Sequence, residues 1–111
     1  IDSKWTTEAL FNILDNAVKY GMPGTKIEIA ITELVSYVSL AIRNRSEKAI
    51  SPNEYSLLFK RFYRGKSNAD VEGVGLGLYI ARRILEDEKA YIQAGKTSDG
   101  RTEFVVCLYK N

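Results

Sequence analysis

The spacing of apolar residues changes along this chain, and that change restricts the folds available to it. Residues 4–20 carry apolar side chains at helical spacing, and residues 78–87 do the same. Residues 26–33 and 36–44 alternate apolar and polar side chains, as half-buried strands do, and residues 91–95 and 102–109 are two further predicted strands. This order predicts an α+β fold, a two-layer α/β sandwich with helices packed on one face of a mixed, mostly antiparallel sheet.

The first predicted helix has a start and a stop signal in the sequence. Asp2 and Ser3 can cap its beginning, and Gly21 and Pro23 end it. One broad face is apolar and is predicted to be the core face: Leu10, Phe11, Ile13, Leu14, Ala17 and Val18. The opposite face is polar: Glu8, Asn12, Asp15, Asn16 and Lys19.

Composition narrows the class of protein. The chain has 111 residues, 45% of them hydrophobic and 27% charged, which suits one packed domain spanning residues 1–111. A net charge of +2 is too small to indicate nucleic-acid binding. A single cysteine, Cys107, and the lack of histidine exclude a disulfide framework, a histidine metal site and histidine acid–base catalysis. The chain begins at Ile1 without an initiator methionine, and we interpret it as a fragment of a longer protein.

Two asparagines on the first helix are candidate ligand-binding residues. Asn12 and Asn16 are four residues apart and share a helical face with Lys19. Asparagine is unfavourable inside a helix because its side chain competes for backbone hydrogen bonds. The amide oxygens could coordinate Mg²⁺ or its water while the lysine meets a phosphate. A solvated polar face is the alternative interpretation.

Three alternating glycines precede the second helix, at Gly73, Gly75 and Gly77. Glycines let the backbone approach an anion, and the helix start offers unpaired N–H groups. The segment lacks the Lys-Ser/Thr of a Walker loop, and a polar loop rather than a strand precedes it, unlike the dinucleotide fingerprint. It is therefore either a phosphate cradle or a flexible entry into the helix.

A basic segment interleaved with aromatic residues lies before these glycines. Residues 59–66 contain four cations among Phe59, Phe62 and Tyr63. The aromatic side chains suggest anchoring into a core, while the cations could contact terminal phosphates. The same composition occurs in proteins that bind single-stranded nucleic acid, which leaves a nucleic-acid binder as a further alternative.

The order of these motifs resembles the catalytic domain of sensor histidine kinases, in the ATPase superfamily shared with gyrase, Hsp90 and MutL. Residues 12–20 look like the family's asparagine box, residues 59–65 like its phenylalanine box and residues 73–78 like its later glycine box. The resemblance spans nearly the whole chain. It implies the Bergerat-type ATP-binding fold, with ATP and Mg²⁺ as cofactors.

The resemblance also implies roles for individual residues. Asn16 would coordinate Mg²⁺ on the phosphates, with Asn12 beside it as the second catalytic amide. Lys19 would reach a phosphate, Tyr20 would flank the adenine, and residues 66–72 would form a lid. The remaining nucleotide-binding positions that it implies are Asn44, Ile50, Arg61, Phe62, Arg64, Gly73, Val74, Gly75, Leu76, Gly77 and Leu78.

The implied reaction is transfer of the γ-phosphoryl group of ATP to a histidine. That histidine would lie on a separate dimerisation domain of the same protein, so this chain would be an inactive protein-histidine kinase domain when alone. A response regulator would be an indirect partner. The resemblance further implies a cytoplasmic location beneath a membrane sensor, with no nucleic acid bound and no direct membrane contact.

Two segments depart from the family pattern. Asn44 stands where the family usually has the aspartate of Asp-x-Gly-x-Gly, which accepts a hydrogen bond from the adenine amino group. An amide oxygen can still accept that bond, with a loss on the order of 1 kcal/mol. Residues 88–90 lack the glycine that many members have after the second helix. These departures leave a second hypothesis: a degenerate, pseudokinase-like interaction module with weak or no nucleotide binding.

Overall fold

A computed structural model describes residues 3–46, 55, 57–59 and 77–110 of the chain. Its elements follow the predicted order: α1 (Ser3–Tyr20), β1 (Glu28–Glu33), β2 (Tyr37–Asn44), α2 (Gly77–Asp87), β3 (Tyr91–Lys96) and β4 (Thr102–Tyr109). Neither helix of this described part has the length and apolar character needed to cross a membrane. The prediction of an α+β fold is confirmed.

The four strands form one sheet in the order β1-β2-β4-β3, and every neighbouring pair is antiparallel. The register places Ile42 of β2 opposite Ile29 of β1 and Phe104 of β4. Opposed residues share a face of the sheet, so these three side chains point toward the helix layer. Within the described residues the sheet is purely antiparallel, with no parallel pair to make it mixed.

The two helices pack on each other and on one face of this sheet. The core between the layers is formed by buried apolar side chains: Ala9, Ile13, Ala17, Ile42, Phe59, Leu78, Ala81, Leu85, Ala90, Phe104 and Val106. Phe59 meets the Phe104 ring edge-on at 6.1 Å, and the Arg82 guanidinium lies 5.6 Å from the centre of the Phe59 ring. The predicted anchoring of Phe59 is confirmed. Phe62 and Tyr63 lie outside the described residues.

The predicted core face of α1 is partly wrong. Phe11 and Val18 are 61% and 66% exposed, whereas Ala9 and Thr6, which were not predicted to face the core, are buried. The buried residues Ala9, Ile13 and Ala17 repeat every four positions and form one narrow stripe. Leu10 and Leu14 are half-buried against this core, as predicted, whereas Phe11 and Val18 lie on the side of α1 that faces away from α2 and β2.

The end of α2 is closed by a Schellman motif. The Ala90 amide donates to the Leu85 carbonyl at 2.8 Å, and the Lys89 amide donates to the Glu86 carbonyl at 3.0 Å. Lys89 has a left-handed backbone, with φ of 59°. Lys89 therefore adopts the left-handed conformation at the position where a glycine is usual, and the helix ends in this motif although the segment has no glycine.

Between β2 and α2 the structure also describes residues 55 and 57–59. In the described portion the Leu58 amide donates to the Tyr55 carbonyl at 3.4 Å, as in a single tight helical turn.

Candidate functional site

The polar side of α1 borders the core. Asn12 and Asn16 are half-buried, and each directly precedes a buried residue, Ile13 and Ala17. This burial is intermediate between a core position and a fully solvated face, and the role of the two amides as ligands stays a prediction. The two carboxamides are held at the margin of the helix layer, one turn apart.

Lys19 lies on the same helix but is exposed. Its ammonium group contacts the Asp15 carboxylate at 3.1 Å, and both side chains are more than two-fifths exposed. Exposed pairs of this spacing contribute about 0.3–0.5 kcal/mol, so little opposes movement of Lys19 toward an anion. Tyr20 follows it as the last residue of α1 and is half-buried.

Asn44 ends β2 and reaches the last turn of α1. It follows Leu40 and Ile42 at two-residue intervals, so its side chain points toward the helix layer, and it is only 3% exposed. Its Nδ2 donates to the Ala17 carbonyl oxygen at 3.4 Å. Its Oδ1 is buried and accepts no hydrogen bond from any described residue.

Gly21 leaves room for this contact. A Cβ at this position would lie 2.6 Å from the Ala17 carbonyl oxygen and 3.5 Å from Asn44 Nδ2. The first distance is shorter than real Cβ atoms show, and the atom that it meets belongs to the backbone. Any side chain at position 21 would therefore displace the end of α1 or the amide of Asn44.

Further polar side chains lie next to Asn44, on β4 and just after β2. Thr102 of β4 is the register partner of Asn44 and is also buried. Its Oγ1 lies 2.8 Å from the Ser46 Oγ, and Ser46 forms an antiparallel bridge with Gly21. These contacts join the ends of α1, β2 and β4 around the Asn44 carboxamide.

The start of α2 supplies the other described candidate residues. Leu78 is buried in the same cluster as Ile13 and Ala17, so the beginning of α2 packs against the helix that carries the asparagines. Gly77 is exposed, and a Cβ at this position would have no neighbour within 4 Å. The structure thus places Asn12, Asn16 and Tyr20 on α1 and Asn44 at the end of β2, beside the last turn of α1. Leu78 lies in the core cluster to which both helices contribute.

The remaining predicted site residues lie outside the described residues: Ile50, Arg61, Phe62, Arg64, Gly73, Val74, Gly75 and Leu76. The predicted lid, residues 66–72, also lies outside the described residues.

Sequence reasoning missed three parts of the site. Gly21 was interpreted only as the end of a helix, and the Ala17 carbonyl and Thr102 were not considered. The sequence of β4 gives little signal for Thr102, because residues 104–108 are continuously apolar and do not show which face is buried. No sequence signal shows which helix carbonyl the Asn44 amide meets.

The Asn44 Oδ1 is able to accept a hydrogen bond from a bound ligand. An acceptor that is buried without a partner carries a desolvation cost, which a ligand donor such as an exocyclic amino group would relieve. Among the residues that the structure describes, no three acidic, cysteine or histidine side chains cluster as metal ligands. The described side chains with half-buried amide oxygens on α1 are Asn12 and Asn16.

Comparison with known proteins agrees with this geometry. The sequence profile of the family described as "Histidine kinase-, DNA gyrase B-, and HSP90-like ATPase" matches residues 1–111. The chain is 29% identical over 111 residues to "Sensor histidine kinase YvrG" of Bacillus subtilis (strain 168), covering 99% of this chain and 19% of that protein. It is 32% identical over 112 residues to "Signal transduction histidine-protein kinase/phosphatase MprB" of Mycolicibacterium paratuberculosis, covering 96% of this chain and 21% of that protein.

The fold is also similar to that of a solved structure. The chain "Mycobacterial sensor histidine kinase MprB" superposes with a TM-score of 0.88 at 26% identity, over 98% of this chain and 74% of that one. The present chain spans about a fifth of the length of the curated relatives that it matches.

Proposed function

Because this chain belongs to the family of histidine kinase-, DNA gyrase B- and HSP90-like ATPases, we propose that it binds Mg-ATP and donates the γ-phosphoryl group to a histidine. The acceptor histidine lies on a separate dimerisation domain in a two-component signalling protein. The chain itself contains no histidine, so the acceptor must come from elsewhere.

One observation carries the nucleotide assignment: the Oδ1 of Asn44, beside the last turn of α1, is buried and has no hydrogen-bond partner among the described residues. An acceptor in this state is stabilised by a ligand that donates an N–H, and the adenine amino group is such a donor. The half-buried amides of Asn12 and Asn16 lie on the same helix, where the phosphates and their magnesium ion would be held.

The protein's contribution to the reaction is positioning and charge. Asn16 would hold Mg²⁺, and Asn12 would orient the phosphates or their water. Lys19 would leave its ion pair with Asp15 and contact a phosphate oxygen instead. The bound ion would neutralise charge on the phosphates. Since phosphoryl transfer needs little covalent help from the protein, this set of groups and an in-line acceptor would suffice.

The relatives' names support the signalling role. Those proteins are named as sensor histidine kinases and a histidine-protein kinase/phosphatase, and each is about five times longer than this chain. The corresponding proposal is that the chain works as the cytoplasmic kinase domain of a sensor, with a response regulator as the next partner.

Thermal unfolding with and without nucleotide tests the proposal. We expect ADP with Mg²⁺ at 100 times its dissociation constant to add about 2.7 kcal/mol to the free energy of unfolding, a rise of several degrees. Asn16→Ala should lose the magnesium-dependent part of that rise, because the amide oxygen that holds the ion is removed. Gly75→Ala should lose binding as well if the glycine segment approaches the phosphates.

Val18→Ala is the matched control, because Val18 lies on the same helix and is exposed. It should keep the full nucleotide effect. An unchanged effect in both Asn16→Ala and Gly75→Ala would contradict the proposal. No thermal shift in the unmodified chain at millimolar nucleotide would favour the degenerate interaction module instead.

A further inference from the structure

Trp5 is an exposed aromatic residue near the start of α1, and it shares a side of the helix with the two candidate asparagines. Its side chain is 52% exposed. At about 100° per residue, the steps from Trp5 to Asn12 and from Trp5 to Asn16 both return to within about 20° of the same direction. The tryptophan therefore continues the row of amides to which the proposed function assigns the phosphates.

The proposed nucleotide has a direction along this helix. Its base would lie beside the last turn of α1, where Asn44 Nδ2 donates to the Ala17 carbonyl oxygen at 3.4 Å. Asn16, the proposed magnesium ligand, lies next to that turn, and Asn12 lies about one turn nearer the start of the helix. The terminal phosphate would therefore point toward the end of α1 that carries Trp5.

The acceptor histidine has to approach from beyond the terminal phosphate, roughly in line with the bond that breaks. Trp5 precedes Asn12 by about 10 Å along the helix axis, at 1.5 Å per residue. A folded domain is wider than this distance. A domain that presents its histidine to a phosphate beside Asn12 is therefore wide enough to cover Trp5 as well.

The side chains at this end of α1 suit a protein partner. Tryptophan is enriched among the residues that dominate binding at protein interfaces, because it buries a large ring and keeps one N–H donor. Glu8 lies between Trp5 and Asn12 in the chain and is also exposed. Its carboxylate favours a partner surface that carries basic side chains around the contact with the tryptophan.

We propose that Trp5 is the central contact of the surface on which the histidine-bearing dimerisation domain docks for phosphoryl transfer. The proposal deepens the proposed function and rests on it, since it names where that partner binds. In the transfer, a ring nitrogen of the neutral histidine bonds to the γ-phosphorus while the bond from that phosphorus to the β–γ bridging oxygen breaks. ADP leaves with the bridging oxygen, and the imidazole releases one proton to water.

Phosphoryl transfer between two separate polypeptides tests the proposal. The chain with Mg-ATP is the donor, and the purified dimerisation domain is the acceptor. We expect Trp5→Ala to raise the KM for the acceptor domain at least tenfold and to keep the dissociation constant for ADP within about twofold. A general loss of structure would weaken ADP binding as well, so the two constants separate docking from folding.

Phe11→Ala is the matched control for Trp5→Ala. Phe11 is an aromatic residue on the same helix, it is 61% exposed, and it lies about 120° away from Trp5 around the helix axis. Its substitution should change neither the KM for the acceptor domain nor the dissociation constant for ADP. Equal effects of Trp5→Ala and Phe11→Ala on the KM would overturn the inference.

A second measurement observes Trp5 directly. The chain contains one tryptophan, so labelling it with 5-fluorotryptophan gives a single fluorine resonance. We expect this resonance to shift or broaden when the unlabelled dimerisation domain is added. No response at a saturating concentration of the domain would overturn the inference. An equal response to ADP and Mg²⁺ alone, or to a higher concentration of the chain alone, would also overturn it, because the contact would then be the nucleotide or a second copy.

The two measurements distinguish failure of the inference from failure of the proposed function. If the unmodified chain phosphorylates the dimerisation domain and Trp5→Ala does so with an unchanged KM, phosphoryl transfer stands and docking at Trp5 is wrong. If the unmodified chain binds no nucleotide or transfers no phosphoryl group, the proposed function fails. The response of the fluorine resonance to the dimerisation domain then decides the docking surface alone.

Discussion

Lys89 holds a left-handed backbone at the end of α2, which costs an L-residue with a side chain more than it costs glycine. Four backbone hydrogen bonds at this end, donated by the amides of Glu88, Lys89 and Ala90, keep the turn in place despite that cost. The lysine is exposed, so its side chain contributes little packing to offset it.

Lys89→Gly is therefore expected to stabilise the protein by about 0.5–1 kcal/mol. Glycine removes the cost of the left-handed backbone, and the greater conformational entropy of glycine in the unfolded chain offsets part of that gain. Chemical denaturation measures the change. Lys89→Ala is the control and should change stability little, since alanine keeps the Cβ. A glycine variant no more stable than the alanine variant would contradict this account of the turn.

The behaviour of Asn44 was partly accessible from sequence. Asn44 follows Leu40 and Ile42 at two-residue intervals, which indicates a side chain that points toward the helices. The family resemblance implies that this side chain contacts the adenine. Its contact with the Ala17 carbonyl was not accessible, because it depends on where α1 ends relative to β2. Local patterns do not determine that distance.

Strand β1 lies at one edge of the sheet, where the two helices do not pack over it. Ile29 points toward the helix layer beside Ile42, its register partner, yet Ile29 is 51% exposed and Ile42 is 1% exposed. Alternation predicted both strands, but it could not show that two helices cover only part of a four-stranded sheet.

This pair gives a direct comparison of burial. Ile42→Ala should cost about 2–5 kcal/mol, because it leaves a cavity between the layers. Ile29→Ala should cost about 1 kcal/mol or less, because much of its side chain is already in water. Equilibrium denaturation of both variants measures the difference. Equal costs would show that β1 is covered and would contradict the described packing.

The other face of the sheet carries a network of ion pairs. Arg43 of β2 contacts Glu28 of β1 at 2.7 Å and Glu103 of β4 at 2.6 Å. Arg101 contacts both Glu28 and Asp99. The hydrogen bond from the Thr97 hydroxyl, followed by that from Arg101, lowers the pKa of Asp99 from 3.8 to about 2.

A lowered acid pKa makes stability depend on pH in a defined direction. Above pH 3.8 Asp99 is ionised in both the folded and the unfolded state, and its full contribution to the free energy of unfolding is present. As the pH falls toward 2, the unfolded chain takes up the proton first, and this contribution is lost. The unfolding temperature of Asp99→Asn should therefore fall less than that of the unmodified chain over this interval. Thr97→Val should remove part of the same pH dependence, because it removes the hydroxyl that donates to Asp99. If the unfolding temperature changed equally with pH in all three proteins, this explanation would be wrong.

The molecule as a whole follows the order of its periodicities. Two amphipathic helices and two strand pairs could be arranged in few ways, and the two-layer fold was predictable because each element has one apolar face to bury. The exposed Phe11 and Val18 show the limit of that reasoning. Periodicity marks apolar residues, whereas the covered fraction of a helix depends on what packs around it.

The central claim is a nucleotide site formed where α1, the end of β2 and the start of α2 meet. Calorimetric titration of the chain with ADP and a non-hydrolysable ATP analogue, with and without Mg²⁺, tests it most directly. The account predicts saturable binding of one nucleotide per chain, tightened when Mg²⁺ is present. Absence of binding heat at millimolar nucleotide under both conditions would contradict it.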